Sequence, residues 1–151
     1  MKLSEKALQI AITQLGKKEE PLGSNWGEPV QSYLRSVGIG FPASWCMAFV
    51  YWCYKNASIE LNVKNTAIKT GGVLKVWNDA PKECKSSSPL IGSVFIMDFG
   101  KGLGHTGIIE KFDSVNVYTI EGNTNDTGSR EGIEVCRRTR KRSAIKGYIN
   151  F

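Results

Sequence analysis

The run "ASWCMAFVYWCYKNAS", residues 43–58, places the strongest constraint on the fold. From Met47 to Tyr54 almost every residue is apolar or aromatic. A helix with 3.6 residues per turn would therefore be hydrophobic on all sides, and such a helix belongs inside a protein. We predict a central buried helix over residues 45–57, which the rest of the chain surrounds.

The pattern of the remaining chain changes from helical to extended. Residues 1–80 favour helices and residues 90–151 favour short strands separated by Gly, Asp, Asn or Ser. The further predicted helices are 3–16, 28–37 and 72–79. Residues 81–89 are predicted to be a polar linker or loop. The predicted strands are 92–97, 105–112, 116–122, 132–138 and 146–151. Short connections favour antiparallel neighbours. We therefore predict one α+β domain over residues 1–151, with N-terminal helices packed on a C-terminal antiparallel sheet.

Charge and hydropathy limit the function classes. The net charge of +6, from 20 basic and 14 acidic residues, suits an anionic partner such as nucleic acid, a membrane surface or a cell-wall polymer. The basic run 136–146 can equally be solvated surface. No 18-residue apolar run is present, so we expect no membrane span. Residues 1–20 lack the apolar segment of a secretory signal, which predicts synthesis in the cytoplasm without a signal peptide.

The chain has four cysteines and one histidine. No two cysteines form a CxxC pair, so we predict no structural zinc site. Cys46 and Cys53 would lie roughly 10 Å apart along one helix, which is too far for a disulfide. We expect free thiols.

Cys46 stands near the start of the predicted central helix, with Ser44 as its expected N-cap after the break at Pro42. Free backbone N–H groups and the positive end of the helix dipole stabilise a thiolate at such a position. Cys53, two turns further on, is expected in the core. Cys46 is a candidate nucleophile, although a structural cysteine remains the alternative.

His105 follows the glycine-rich segment "GKGLG" and begins a predicted strand. Histidine is the natural proton carrier near neutral pH. A hairpin turning near residues 113–114 would set His105 roughly opposite Glu121, so either Glu121 or Asn123 could accept the ring N–H. A turn histidine and a polar strand end are the alternatives.

Three segments together are similar to a known family. "WCMAFVYWCY", "GHTGIIEKF" and "IEGNTN" resemble the signature blocks of CHAP-type amidohydrolase/peptidase domains, within the papain-like group of bacterial and phage peptidoglycan hydrolases. The resemblance extends from about residue 20 to the C-terminus. It implies a papain-like fold, Cys46 as nucleophile, His105 as base and acid, Glu121 as the group that orients the imidazole, and Asn123 as an accessory polar residue. It implies neither cofactor nor metal.

One position departs from the family pattern. Relatives often carry Gly-Asp before the strand that precedes the histidine block, where this chain has Gly92-Ser93. The Asp is expected to be a structural turn residue, so its replacement should not affect activity.

The resemblance also implies a substrate class: amide bonds of peptidoglycan, in stem peptides, in cross-bridges or between sugar and peptide. The Cys46 N–H, with Asn25 or Ser44, would stabilise the oxyanion. Trp45 would line the cleft, with core packing as the alternative. We expect a monomer that reaches the cell wall by a non-Sec route; use as a toxin would add an inhibitor or immunity protein.

Two other functions stay open at this stage. One is a catalytically inactive module that binds wall peptides. The other, less favoured, is nucleic-acid binding through residues 137–146, which contain basic residues but no recognised binding motif. We therefore expect no nucleic-acid partner.

Overall fold

The computed structural model, which describes residues 1–122 and 130–151, confirms the α+β class. The helices come first and the sheet follows. The helices are α1 Leu3–Thr13, α2 Val30–Ser36, α3 Cys46–Leu61 and α4 Val73–Asp79; the strands are β1 Lys85–Ser86, β2 Val94–Gly100, β3 Leu103–Phe112, β4 Asn116–Gly122, β5 Val135–Lys141 and β6 Gly147–Ile149.

Helix α3 occupies the centre of the molecule, as predicted. Met47 to Val50 are completely buried, with α1 and α2 packed on the helix and strands β3 and β4 in contact with it. The helix ends at Asn62, whose φ of 54° is left-handed and whose N–H bonds the carbonyls of Ser58 and Ile59. Asparagine tolerates this conformation, so α3 continues four residues beyond the predicted end at 57.

The N-terminus of α3 differs from the prediction. Trp45, not Ser44, occupies the N-cap position, and no side chain caps the helix. Cys46 is the first helical residue. The expected position of Cys46 in the first turn is therefore correct, while the expected N-cap is wrong by one residue.

The sheet has the strand order β1-β6-β2-β3-β4-β5, and its pairs are antiparallel. Strands β2 to β5 form the expected meander, and β6 returns to pair with β2. The interpretation of 81–89 as a linker is partly wrong, because Lys85 and Ser86 form strand β1 by pairing with β6.

The sheet carries an apolar cluster on each face, because successive side chains of a strand alternate between faces. The face that packs on the helices carries Val94, Ile96, Ile108 and Ile120. The opposite face carries Phe95, Met97, Ile109, Val117 and Tyr148. His105, which pairs with Met97, lies on this second face.

The turn between β2 and β3 sets the position of His105. Gly100 pairs with Leu103, so only Lys101 and Gly102 form the turn, with φ of 57° and 79°. Two-residue hairpin turns favour positive φ at both positions because this matches the twist of the strands. His105 is therefore the third residue of β3.

Trp45 is part of the core. Its indole is completely buried, its ring centroid lies 5.7 Å from that of Tyr33, and its Nε1–H donates to Glu19 Oε2 at 2.7 Å. The other oxygen of Glu19 accepts the Gly23 N–H at 2.9 Å. The expected role of Trp45 in lining the cleft disagrees with this placement, since a buried indole does not reach a bound substrate. Trp45 instead attaches the loop of Glu19 to the start of α3.

We predict that Trp45→Phe lowers the free energy of unfolding by about 1–3 kcal/mol, because a buried acceptor on Glu19 loses its donor. Urea unfolding measures the change. Trp52→Phe, a change of the same kind at a partly buried position of α3, should cost less. Equal losses from the two variants would contradict a specific role of the Trp45–Glu19 hydrogen bond.

Candidate active site

Cys46 lies at the wall of a small cleft. Its side chain is 4% exposed, and it borders a cavity of about 170 Å³. The other lining residues come from the loop before α3, the start of α4 and the β2–β3 turn: Ser44, Gly71, Gly72, Val73, Gly102, Leu103 and Gly104. As the first residue of a helix, Cys46 has a backbone N–H with no acceptor inside that helix. The thiol and an available N–H donor thus occupy the same end of α3.

Gly104 brings β3 close to α4. A Cβ at this position would lie 2.8 Å from the Met97 carbonyl oxygen and 3.0 Å from Val73 Cγ1. Any larger residue would push the strand away from α4, which forms the other wall of the cleft. Glycine at 104 therefore sets the width of the cleft beside His105.

His105 and Glu121 form a buried pair. Their side chains are 2% and 0% exposed, and His105 Nε2 lies 2.7 Å from Glu121 Oε1. An ionised carboxylate only accepts hydrogen bonds, so Nε2 carries the proton. The other nitrogen, Nδ1, is buried without a hydrogen-bond partner in residues 1–122 and 130–151. Nδ1 is therefore the nitrogen available to the Cys46 thiol.

The strand register brings this pair together differently from the prediction. Ile108 pairs with Ile120, and extending this register by one residue sets Glu121 opposite Gly107 instead of His105. His105 is the diagonal neighbour on the same face, within reach of a long side chain. A Cβ on Gly107 would lie 2.7 Å from Glu121 Cγ, so the glycine provides the space that Glu121 occupies.

Two further side chains hold the Glu121 carboxylate. Arg140 from β5 donates from Nε to Oε2 at 2.9 Å and from Nη2 to Oε1 at 2.6 Å. Thr119 Oγ1 donates to Oε2 at 2.6 Å. With the bond from His105, each oxygen accepts two hydrogen bonds, which fills the usual capacity of a carboxylate.

These contacts determine the charge state of the pair. Burial lowers the pKa of His105, but Cys46 and Glu121 raise it more, to about 9. Burial raises the pKa of Glu121, but Arg140 and His105 lower it more, to about 2. At neutral pH the imidazole is therefore protonated and the carboxylate ionised.

The same shifts link the site to stability. The raised pKa of His105 stabilises the folded protein below its ordinary pKa of 6.5, and this contribution disappears as the pH rises through about 9. The lowered pKa of Glu121 stabilises the folded protein above its ordinary pKa of 4.5, and this contribution disappears as the pH falls through about 2.

The other predicted site residues differ in their position relative to the cleft. Asn123 lies outside the described residues. Ser44 lines the cleft with Cys46, whereas Asn25 is not among the described residues that line it. Cys53 is completely buried, and burial raises the pKa of its thiol well above the ordinary value. None of the four cysteines forms a disulfide.

Much of the basic run 136–146 is engaged within the protein. Arg137 pairs with Glu110 at 2.9 Å, Arg140 pairs with Glu121, and Arg142 Nη1 donates to the Asp113 carbonyl at 2.9 Å. In the part of the chain that the structure describes, no group of three or more His, Cys, Asp or Glu residues is arranged to hold a metal. Nor does any helix in that part have the length and apolar character needed to cross a bilayer.

Comparison with known proteins identifies the family of the chain. The family model described as "CHAP domain" matches residues 37–123, which is more than half of the chain and includes Cys46, His105 and Glu121. The chain belongs to the CHAP domain family. CHAP domains are typically cysteine- and histidine-dependent amidohydrolases, and the family suggests a peptidoglycan-related hydrolase.

A solved structure supports the fold. This chain aligns with the structure titled "The crystal structure of Ly7917" with a TM-score of 0.55 and 17% sequence identity. The alignment covers 99% of this chain and 62% of the Ly7917 chain. The chain thus spans less than two thirds of the Ly7917 chain. A search of curated proteins gave no match.

The sequence did not reveal three residues that surround the His105–Glu121 pair of this CHAP domain: Arg140, Thr119 and Gly107. Arg140 stands in a basic run that is typical of a solvated surface. Alternation along β4 places Thr119 on the face of Glu121, which was the available signal for this residue. Arg140 could be found only from the pairing of β5 with β4, which sets it opposite Val117 on that face.

We predict that the only histidine titrates near pH 9 and that Cys46→Ala lowers this midpoint, because a side chain that raises the pKa of His105 is removed. NMR titration of the imidazole measures this without assignment ambiguity. An unchanged midpoint in Cys46→Ala would mean that the two side chains do not interact.

We predict that Gly107→Ala displaces Glu121 and lowers the same His105 midpoint, because Glu121 contributes to raising it. Overpacking should also cost about 1–3 kcal/mol of folding free energy. Gly40→Ala is the matched control, since a Cβ there would contact nothing within 4 Å. A Gly107→Ala variant with wild-type titration would show that the glycine does not position Glu121.

Proposed function

We propose that this CHAP domain is a cysteine-dependent peptidoglycan amidase or endopeptidase that cleaves amide bonds of cell-wall peptides through a thioacyl enzyme. The observation that carries the proposal is the placement of Cys46 on a cleft whose lining includes Gly104, the residue before His105, together with the buried pair in which His105 Nε2 lies 2.7 Å from Glu121 Oε1. A nucleophile, a proton carrier and a group that orients this carrier are the parts that nucleophilic acyl transfer requires.

The first half of the reaction forms the thioacyl enzyme. The Cys46 thiolate attacks the amide carbonyl carbon, a C–S bond forms, and the carbonyl oxygen becomes an oxyanion. The Cys46 N–H at the start of α3 stabilises this charge, and Ser44 at the rim of the cleft is the candidate second donor. The C–N bond then breaks while His105 Nδ1–H gives its proton to the leaving amine.

The second half releases the product. Neutral His105 takes a proton from water at Nδ1, and the hydroxide oxygen bonds to the thioester carbon. The C–S bond breaks, which restores the thiolate and the imidazolium. Glu121 keeps the Nε2–H bond throughout, so the ring presents Nδ1 to the reacting atoms in both steps.

The walls of the cleft suit an extended peptide. Four of its lining residues are glycines at positions 71, 72, 102 and 104, so the backbone of the protein can approach a bound chain closely. Leu103 is 44% exposed at the same edge and offers an apolar contact. These features support a peptide as substrate, and a substrate in the cell wall is consistent with the family.

Purified protein incubated with peptidoglycan from several bacteria tests the proposal, with mass analysis of the released fragments. We predict that Cys46→Ala lowers turnover by a factor of about 10³ or more while the protein stays folded, because the nucleophile is absent. The fragment masses identify the bond that is cleaved.

Cys53→Ala is the matched control, because it removes a second thiol from the same helix away from the cleft. It should reduce stability by leaving a cavity but retain most of the turnover. Equal loss in both variants would point to packing. Binding of peptidoglycan without any fragments from the wild type would support an inactive wall-binding module instead.

A further inference from the structure

We propose that Arg140 is a positioning residue of this active site: it holds the Glu121 carboxylate in the orientation and charge state that align His105 with Cys46. The inference rests on the proposed function and extends it from three residues to four. Arg140 acts through Glu121 and reaches neither the cleft nor the substrate.

Arg140 holds both oxygens of the Glu121 carboxylate. The guanidinium meets both carboxylate oxygens in a bidentate arrangement, at 2.9 and 2.6 Å. Bidentate arginine–carboxylate pairs fix the plane of the carboxylate as well as its position. Glu121 Oε1, which accepts the His105 N–H, is one of the two oxygens held in this way.

The Glu121 carboxylate is also completely buried. Glu121 is 0% exposed, and of its other partners in the described chain Thr119 is neutral, while His105 is charged only as long as its ring is protonated. Arg140 is the partner whose charge does not depend on the protonation of the imidazole. An isolated buried carboxylate would take up a proton, because burial favours the neutral form. A protonated Glu121 would no longer be an acceptor-only group, so the Nε2–H hydrogen bond that orients the His105 ring would weaken.

The same strand offers a comparison within the molecule. Arg137 makes a bidentate pair with Glu110, at 2.9 and 3.1 Å, but on a site where the arginine side chain is 58% exposed. The arginine side chain at 140 is 26% exposed, and its partner is completely buried. A variant of Arg137 therefore measures the effect of losing a bidentate pair in general, and a variant of Arg140 measures the effect of losing the pair that holds Glu121.

The test uses Arg140→Met, Arg140→Lys and the control Arg137→Met, with two measurements on each. The chemical shift of the only histidine is followed by NMR between pH 3 and 7, where it reports protonation of its partner Glu121. Hydrolysis of peptidoglycan fragments gives kcat and KM over the same pH range. Thermal unfolding establishes that each variant is folded under the assay conditions.

In the wild type Glu121 stays ionised over this range, so no inflection from its titration is expected. Arg140→Met should show an inflection from the protonation of Glu121, because the positive charge that favours the ionised carboxylate is removed. Its kcat should fall by up to about a hundredfold with KM little changed, the loss being greatest on the acid side. Arg140→Lys keeps the positive charge and should recover part of the wild-type histidine profile and part of kcat. Arg137→Met should match the wild type in both measurements.

Three results would overturn the inference: a folded Arg140→Met variant with the wild-type histidine profile, a loss of activity that Arg137→Met reproduces, or a loss that follows thermal stability with an unchanged pH profile. If Arg140→Met does not fold, an Arg140→Lys variant with wild-type profiles overturns it equally. A wild type with no hydrolysis would refute the proposed function alone, because the NMR titration still decides whether Arg140 holds Glu121.

Discussion

A carboxylate is stable inside a protein only when hydrogen bonds and opposite charge replace the water it has lost. Glu121 meets this condition through donors on three neighbouring strands: His105 on β3, Thr119 on β4 and Arg140 on β5. The carboxylate therefore links the sheet to the chemistry of the site. If one donor is lost, the burial of Glu121 and the orientation of the imidazole are affected together.

The helical layer and the sheet supply different halves of the site. Helix α3 is buried along most of its length, so its first residue, Cys46, is held by a rigid element. His105 and Glu121 lie on the face of the sheet that points away from the helices. His105 stands near the start of β3, where Cys46 raises the pKa of its imidazole. The cleft lies between the end of α3, which carries Cys46, and the start of β3, where Gly104 precedes His105.

Local pattern was sufficient for much of the fold. β4 was predicted to the residue at 116–122 and α4 to within one residue at 72–79. The errors have physical causes. β2 continues to Gly100 because the two-residue turn allows Gly100 to pair with Leu103. Lys85 is part of a strand only because it pairs with Ile149 of β6. Such pairings depend on residues far away in the chain.

The order of Cys46, His105 and Glu121, their residue types and the apolar character of α3 were determined by the sequence itself, because helical and strand periodicity are local properties. Tertiary structure decided which groups surround them. It placed Trp45 in the core with Glu19, set Glu121 opposite Gly107, and joined Arg140 to the carboxylate. Strand register and burial depend on contacts between distant segments, and a local pattern does not contain that information.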